Sequence, residues 1–245
     1  MKISKEPLTY KPVDISGPFF DNPLGFAECA LAGIGGFFTV YRCRYGGRYV
    51  AVKVQSQLAR YFESGRRMSI TPRPEEIKKE LEKVKMLDHP NILRLITAYP
   101  EYGVFVYEWG DGGTLADQTL SVKDKLKALI HVAEGLRYLH NHDLYHGDLK
   151  PQNVVIVGGI CKIADLSSLR NALSRSSGRR SANCTPGFCA PEQIFSDLAT
   201  EATKTFELKN RRDVYQLGNL ALWLFGIDTI DGEEWSQDVV EKAAE

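Results

Sequence analysis

The chain has 245 residues, 43% hydrophobic and 25% charged, with Lys+Arg and Asp+Glu balanced at 31 each. This is the composition of a globular protein with room for one large domain or two small lobes. Zero net charge argues against nucleic acid as a partner, and no apolar run approaches the roughly 20 residues that span a bilayer.

Residues 1–28 mix proline, polar residues and aromatics, and read as an extension. MKISKEPLTYKP has no apolar signal core, so a cytoplasmic protein is expected. Cys29, Cys43, Cys161, Cys184 and Cys189 form no CxxC pair and have no histidine at zinc spacing. They are expected to be reduced thiols, with little support for a Cys184–Cys189 link.

Residues 29–110 read as a sheet-rich half. FAECALAG, FFTVYRCRYGGRYVAVKVQ and YGVFVYEW are β-branched and aromatic, and YGGRY is a hairpin turn. One helix interrupts them. PEEIKKELEKVKML carries Ile77, Leu81, Val84 and Leu87 on one stripe, Pro74 at its start, and a Glu75–Lys79 pair on the other face. GDGGT (residues 110–114) is the natural linker. Residues 111–245 then turn helical. Leu126, Leu129, Ile130, Ala133, Leu136 and Leu139 share a predicted stripe, and the run from Leu217 to Ile227 reads as a buried helix. A cleft between two such halves is a common ligand position.

LAGIGGFFTV offers Gly33, Gly35 and Gly36, where the absence of Cβ lets backbone approach a phosphate. A hairpin without a ligand fits the glycines equally well. AVKV then sets Lys53 in an apolar strand, either with its head in water or as a cation facing phosphates. If buried, it needs a carboxylate, and Glu80 on the helix can supply one, though a surface ion pair also suits Glu80.

HGDLKPQNVVI concentrates chemistry. Asp148 can take a hydroxyl proton, Lys150 can steady a phosphoryl group, and the amide oxygen of Asn153 can ligate a cation. Singly, Asp148 and Asn153 also suit a turn around Pro151. The stretch resembles the catalytic loop HxDLKPxN of eukaryotic-like Ser/Thr protein kinases. Other pieces of that family's pattern stand in order. The glycine cluster resembles its phosphate loop, with Lys53 and Glu80 as its lysine–glutamate pair. YEWGDGGTL resembles the hinge, KIADLS sets Asp165 at its magnesium position, and TPGFCAPE resembles an activation-segment end. RRDVYQLG sets Asp213 where the family braces its catalytic loop.

The resemblance implies an α+β, bilobal, protein-kinase-like fold, with a β-rich N-lobe at 29–110 and a mainly helical C-lobe at 111–245 that lacks the usual last helices. It implies ATP and Mg2+ as cofactors, with Mn2+ as a substitute metal. Nucleotide contacts are implied at Leu31, Gly33, Gly35, Val40, Ala51, Lys53, Glu80, Tyr107, Glu108, Gly110 and Val155. Metal contacts are implied at Asn153 and Asp165, and catalysis at Asp148, Lys150, Asn153 and Asp165. The expected reaction moves the ATP γ-phosphoryl to Ser or Thr hydroxyls of protein substrates and includes autophosphorylation. A further domain or partner would complete the C-lobe. Two alternatives stay open: a small-molecule kinase, which shares HGD, and a nucleotide-binding pseudokinase.

Four departures qualify the resemblance. Phe38 replaces the third loop glycine. Gly147 replaces an arginine that pairs with a segment phosphate, so phosphorylation there should matter less for switching. Ser167 replaces the glycine after Leu166 and should restrict that hinge. Glu245 follows soon after Gly226, and the arginine partner of Glu192 is absent unless Arg211 or Arg212 serves. The run SSLRNALSRSSGRRSANC reads as a solvated loop. Alternatively, Ser174, Ser176, Ser177 or Ser181 is phosphorylated beside Arg175, Arg179 and Arg180.

Overall fold

The computed structural model describes residues 24–34, 38–55, 74–166, 169–171, 185, 187–190, 193 and 206–227. Among them the chain divides into two compact units. One takes the described residues through Asp88 together with Leu93–Asp111. The other takes His89–Ile92 and the described residues from Gly112 onward.

The first unit is a five-stranded antiparallel sheet. Its strands are β1 (Ala27–Ile34), β2 (Phe38–Tyr45), β3 (Arg48–Gln55), β4 (Leu95–Tyr99) and β5 (Val104–Glu108), in the order β1-β2-β3-β5-β4. Gly46 and Gly47 make the hairpin turn at φ of 55° and 80°, angles that glycine takes without steric cost. The two-residue period of a strand divides the faces. Val50, Val52 and Val54 of β3 join Val104 and Val106 of β5 in a fully buried cluster with Phe26, Tyr41 and Cys43. The alternate residues Ala51 and Lys53, opposite Tyr107 and Phe105, occupy the other face. The helix α1 (Pro74–Val84) belongs to the same unit. Val84 and Leu87 are buried and Leu81 half-buried, as the sequence stripe predicts. The side chains of Ile77, Glu75 and Lys79 lie outside the described set.

The expectation of five reduced thiols is corrected. Cys29 of β1 and Cys43 of β2 are joined by a disulfide, with Cα atoms 4.1 Å apart. A register shift between Ala27 and Ala30 and the left-handed φ of Glu28 (49°) mark a bulge that carries Cys29 to Cys43. Cys189 is also disulfide-bonded, and Cys184 lies outside the described residues. Cys161 is the free thiol among the described residues, and burial pushes its pKa up to about 11. We therefore expect alkylation of the denatured, unreduced protein to label Cys161 and to spare Cys29 and Cys43 until a reductant is added. Peptide mass mapping checks this.

The second unit holds α2 (Val122–His140), β6 (Leu144–Tyr145), β7 (Val154–Val157), β8 (Ile160–Ile163), β9 (Arg170–Asn171) and α3 (Phe206–Leu224). Ser121 caps α2, its side chain accepting from the Asp124 N–H. The buried stripe of α2 runs through Ala128, Val132, Gly135, Leu136 and Leu139. Leu126 and Ile130, predicted to share that stripe, are 50% and 61% exposed. A strict i, i+4 count from Ala128 leaves them on the opposite face. β7 and β8 form a hairpin, and β6 pairs with β9. The stretch His89–Ile92 docks on this unit. Asn91 Nδ2 donates to Cys161 O at 3.0 Å, Ile163 N donates to Asn91 O at 2.8 Å, and the His89 ring stacks on Tyr138.

α3 buries one face, Asp213, Gln216, Asn219, Leu220 and Leu224, polar in its middle turns and apolar toward its end. Trp223, Phe225 and Ile227 are exposed, so the run predicted as a buried helix is buried on one side only. No helix among the described residues is long and apolar enough to cross a membrane.

Candidate active site

In the first unit the site residues follow from strand register. Val40 pairs with Lys53 and Lys53 with Phe105, so these side chains share one face, and Gly33 pairs with Val40. Ala51 and Tyr107 lie one step along the same face. Lys53 is only 7% exposed, and its ammonium lies 3.9 Å from Glu80 Oε1 on α1. That is an ion pair at long range, without hydrogen-bond contact. A lysine desolvated to this degree needs such a counter-charge. Glu108 accepts from Arg94 N–H at 2.8 Å and so ties β5 to the start of β4. Leu31 stands opposite Tyr41 and packs on the apolar cluster, away from the Lys53 face. Gly110 is buried. Gly35 lies outside the described residues.

One contact in this unit escaped sequence reasoning. The Phe38 ring lies over Lys53 Nζ at 4.2 Å and stands edge-on to Phe105 at 6.3 Å. Phe38 was legible as a missing glycine, but not as a cover for the lysine. A cation–π contact this desolvated contributes about 0.5–2 kcal/mol. If phosphates binding Lys53 displace the ring, Phe38→Ala should tighten Mg-ATP binding by about 2–30-fold, read by calorimetric titration.

In the second unit the backbone at His146 and Gly147 is held by Asp213. This aspartate is fully buried. Its Oδ2 accepts from His146 N–H at 2.9 Å and lies 2.8 Å from His140 Nε2, while Oδ1 accepts from Gly147 N–H at 2.7 Å. The bracing role implied for Asp213 thus has three partners. His146, also fully buried, donates from Nε2 to Ala164 O at 2.9 Å and accepts Asp148 N–H on Nδ1 at 3.3 Å. A carbonyl on one ring nitrogen and an N–H on the other fix the neutral tautomer with the proton on Nε2.

Asp148 is brought together with Lys150 and Asn153. Lys150 Nζ lies 3.1 Å from Asp148 Oδ2, and Asn153 Nδ2 donates to Asp148 O at 2.8 Å. Thr185 completes the group. Its hydroxyl accepts from Lys150 Nζ at 2.6 Å and donates to Asp148 Oδ1 at 3.1 Å. The sequence marked Thr185 only as the first residue of TPGFCAPE, because its partners lie 35 and 37 positions away. A short 3-10 turn, Pro151–Asn153, feeds directly into β7. The strand thus anchors the loop that presents these polar groups. Val155, on β7, is half-buried and bridges to Thr114.

Asp165 follows β8, is exposed, and sits at φ 54°. Val154 pairs with Ile163, and Ala164 N–H donates to Asn153 O at 2.8 Å, so Asn153 and Asp165 stand at the same end of the β7–β8 hairpin. No group of three or more His, Cys, Asp or Glu residues that could hold a metal occurs among the described residues. One carboxylate and one amide oxygen do fit magnesium, which keeps waters and takes its other ligands from phosphates. Ser167, Glu192 and the serines and arginines from Ser174 to Ser181 lie outside the described residues.

Comparison with known proteins agrees with this geometry. A family model described as "Protein kinase domain" matches residues 26–238. The chain is 30% identical over 217 residues to U-box domain-containing protein 52 of Arabidopsis thaliana, covering 81% of this chain and 23% of that protein. It is 33% identical over 169 residues to the serine/threonine-protein kinase GRIK2 of the same plant, covering 64% and 40%. With the serine/threonine-protein kinase mos of Xenopus laevis it shares 27% over 205 residues, covering 78% and 54%. The chain thus spans between about a quarter and a half of these relatives' lengths. With the Asp148 loop, the Lys53–Glu80 pair and a match over most of its length, the chain belongs to the protein kinase family, and within it to the eukaryotic-like Ser/Thr kinases.

Proposed function

We propose that the protein is an ATP- and Mg-dependent kinase that phosphorylates Ser or Thr hydroxyls of proteins and is able to phosphorylate itself. The observation that carries this reading is the Asp148–Lys150–Thr185 group beside Asn153. Asp148, held from three sides, accepts the hydroxyl proton as the oxygen attacks. Lys150 neutralises charge on the transferring group, and Lys53, steadied by Glu80, holds the α- and β-phosphates. Asp165 and Asn153 would hold magnesium, which would supply neutralisation of phosphate charge. Positioning and electrostatics do the rest.

Protein is the favoured acceptor because Thr185 begins the TPGFCAPE segment and touches both Lys150 and Asp148. The test is ³²P transfer from ATP to generic proteins, to aminoglycosides and choline, and to the chain itself, with mass-spectrometric site mapping. Labelled serine or threonine supports the proposal, and label confined to small molecules overturns it. A second reading, a nucleotide-binding regulatory module, is favoured by the Phe38 ring over Lys53. It predicts Mg-ATP binding without turnover.

A cytoplasmic location is proposed from the sequence, yet a Cys29–Cys43 disulfide favours an oxidising compartment. Alkylation inside intact cells, before lysis, decides between them.

A further inference from the structure

The buried face of α3 carries an amide where it meets the catalytic loop. Gln216 is fully buried, and both ends of its side-chain amide are hydrogen-bonded. Leu149 N–H donates to Gln216 Oε1 at 2.8 Å, and Gln216 Nε2 donates to Gly147 O at 3.0 Å. These two peptide groups are the ones bonded on either side of the Asp148 Cα. A single side-chain amide therefore holds both peptide planes that aim the Asp148 carboxylate.

A second amide joins it. Gln193 Nε2 also donates to Gly147 O at 3.0 Å, while Gln193 Oε1 accepts from Gln216 Nε2 at 3.2 Å and from Ala190 N–H at 3.0 Å. Gln193 follows the TPGFCAPE segment, so the pair links the end of that segment to the loop. Gly147, where a phosphate-pairing arginine stands in many kinases, has φ 78°, and the nearest atoms to an added Cβ are at an ordinary 3.6 Å. Backbone conformation, rather than space, makes glycine the cheap residue there, since a side chain in that region costs roughly 1–2 kcal/mol.

We propose that Gln216, supported by Gln193, is a positioning residue that sets the Asp148 backbone, and that this amide clamp orders the loop without a phosphate on the segment. The inference rests on the reading of Asp148 as proton acceptor. A buried amide of this kind acts through geometry: without it the Gly147–Asp148 peptide keeps only Gln193 and His146, and the Asp148–Leu149 peptide keeps only Asn153, so each plane is loosened and a small displacement of the acceptor is amplified in rate.

The test uses the full chain with Gln216→Met, which keeps length and removes the hydrogen bonds, Gln216→Glu, which keeps only the acceptor, and Gln193→Ala, at the periphery, should the first two fail to fold. Kinetics are paired with amide hydrogen exchange at Leu149. We expect Gln216→Met to lower kcat by about 10–100-fold with KM for ATP changed less than about threefold, since a misplaced acceptor costs turnover rather than binding. Leu149 N–H exchange should accelerate, Gln193→Ala should give the same pattern more weakly, and phosphatase-treated wild type should keep its turnover. Wild-type turnover that is unaffected by all three substitutions, or that disappears on phosphatase treatment, overturns this inference alone. A wild-type protein with no turnover overturns the kinase reading and the inference with it.

Discussion

An Asp148→Asn protein should fold, bind Mg-ATP, and transfer phosphoryl groups to protein hydroxyls about 10²–10⁴-fold more slowly than wild type, the range that a positioned proton acceptor contributes. The amide keeps the shape of the carboxylate and one oxygen for the Thr185 hydroxyl or Lys150 Nζ, both 3.1 Å from Asp148 in the wild type. It removes the charge and the basicity. Because the loop is held by Asp213 and Gln216 through backbone groups, the substitution should leave the melting temperature nearly unchanged. Initial rates of ³²P incorporation at saturating ATP, beside a thermal melt of each protein, check the two halves of the expectation. Undiminished incorporation would remove Asp148 from its role.

The opposite signature is expected at Asp213. Asp213→Ala deletes a fully buried carboxylate that accepts from two backbone N–H groups and faces His140. The donors of His146 and Gly147 would stay buried without partners. Breaking a buried charged network in this way costs about 3–5 kcal/mol. For a chain of this size that is a fall in Tm of about 10 °C. Asp213→Asn keeps one acceptor and should lose less. Urea unfolding followed by circular dichroism measures both. A loss within about 0.5 kcal/mol, the range of an ordinary surface substitution, would contradict the bracing role.

The parts of the site legible in the sequence are those written by local rules. The two-residue alternation of Val50, Val52 and Val54 places Lys53 on the opposite face, and the strand register sets it beside Val40 and Phe105. Asp148, Lys150 and Asn153 lie within one short loop, so their spacing alone implied their meeting. What stayed hidden depends on distant partners. Gln216 contacts a backbone N–H 67 positions away, and nothing in RRDVYQLG marks its amide as a clamp. Thr185 is hidden for the same reason. The Cys29–Cys43 bond depends on a bulge in β1, which shifts register by an amount that alternation cannot foresee. The stripe on α2 was misread because Leu126 and Ile130 are apolar yet exposed, and composition does not tell which apolar face is covered.

The proposed kinase reaction requires Lys53 and Asp165 to serve the same nucleotide. An acyl-phosphate derivative of ATP, which transfers its acyl group to a lysine held against the phosphates, tests it most directly. Magnesium-dependent acylation of Lys53, competed by free ATP and lost in Asp165→Asn, is expected. Acylation of Lys53 that is indifferent to magnesium and to Asp165→Asn would contradict it.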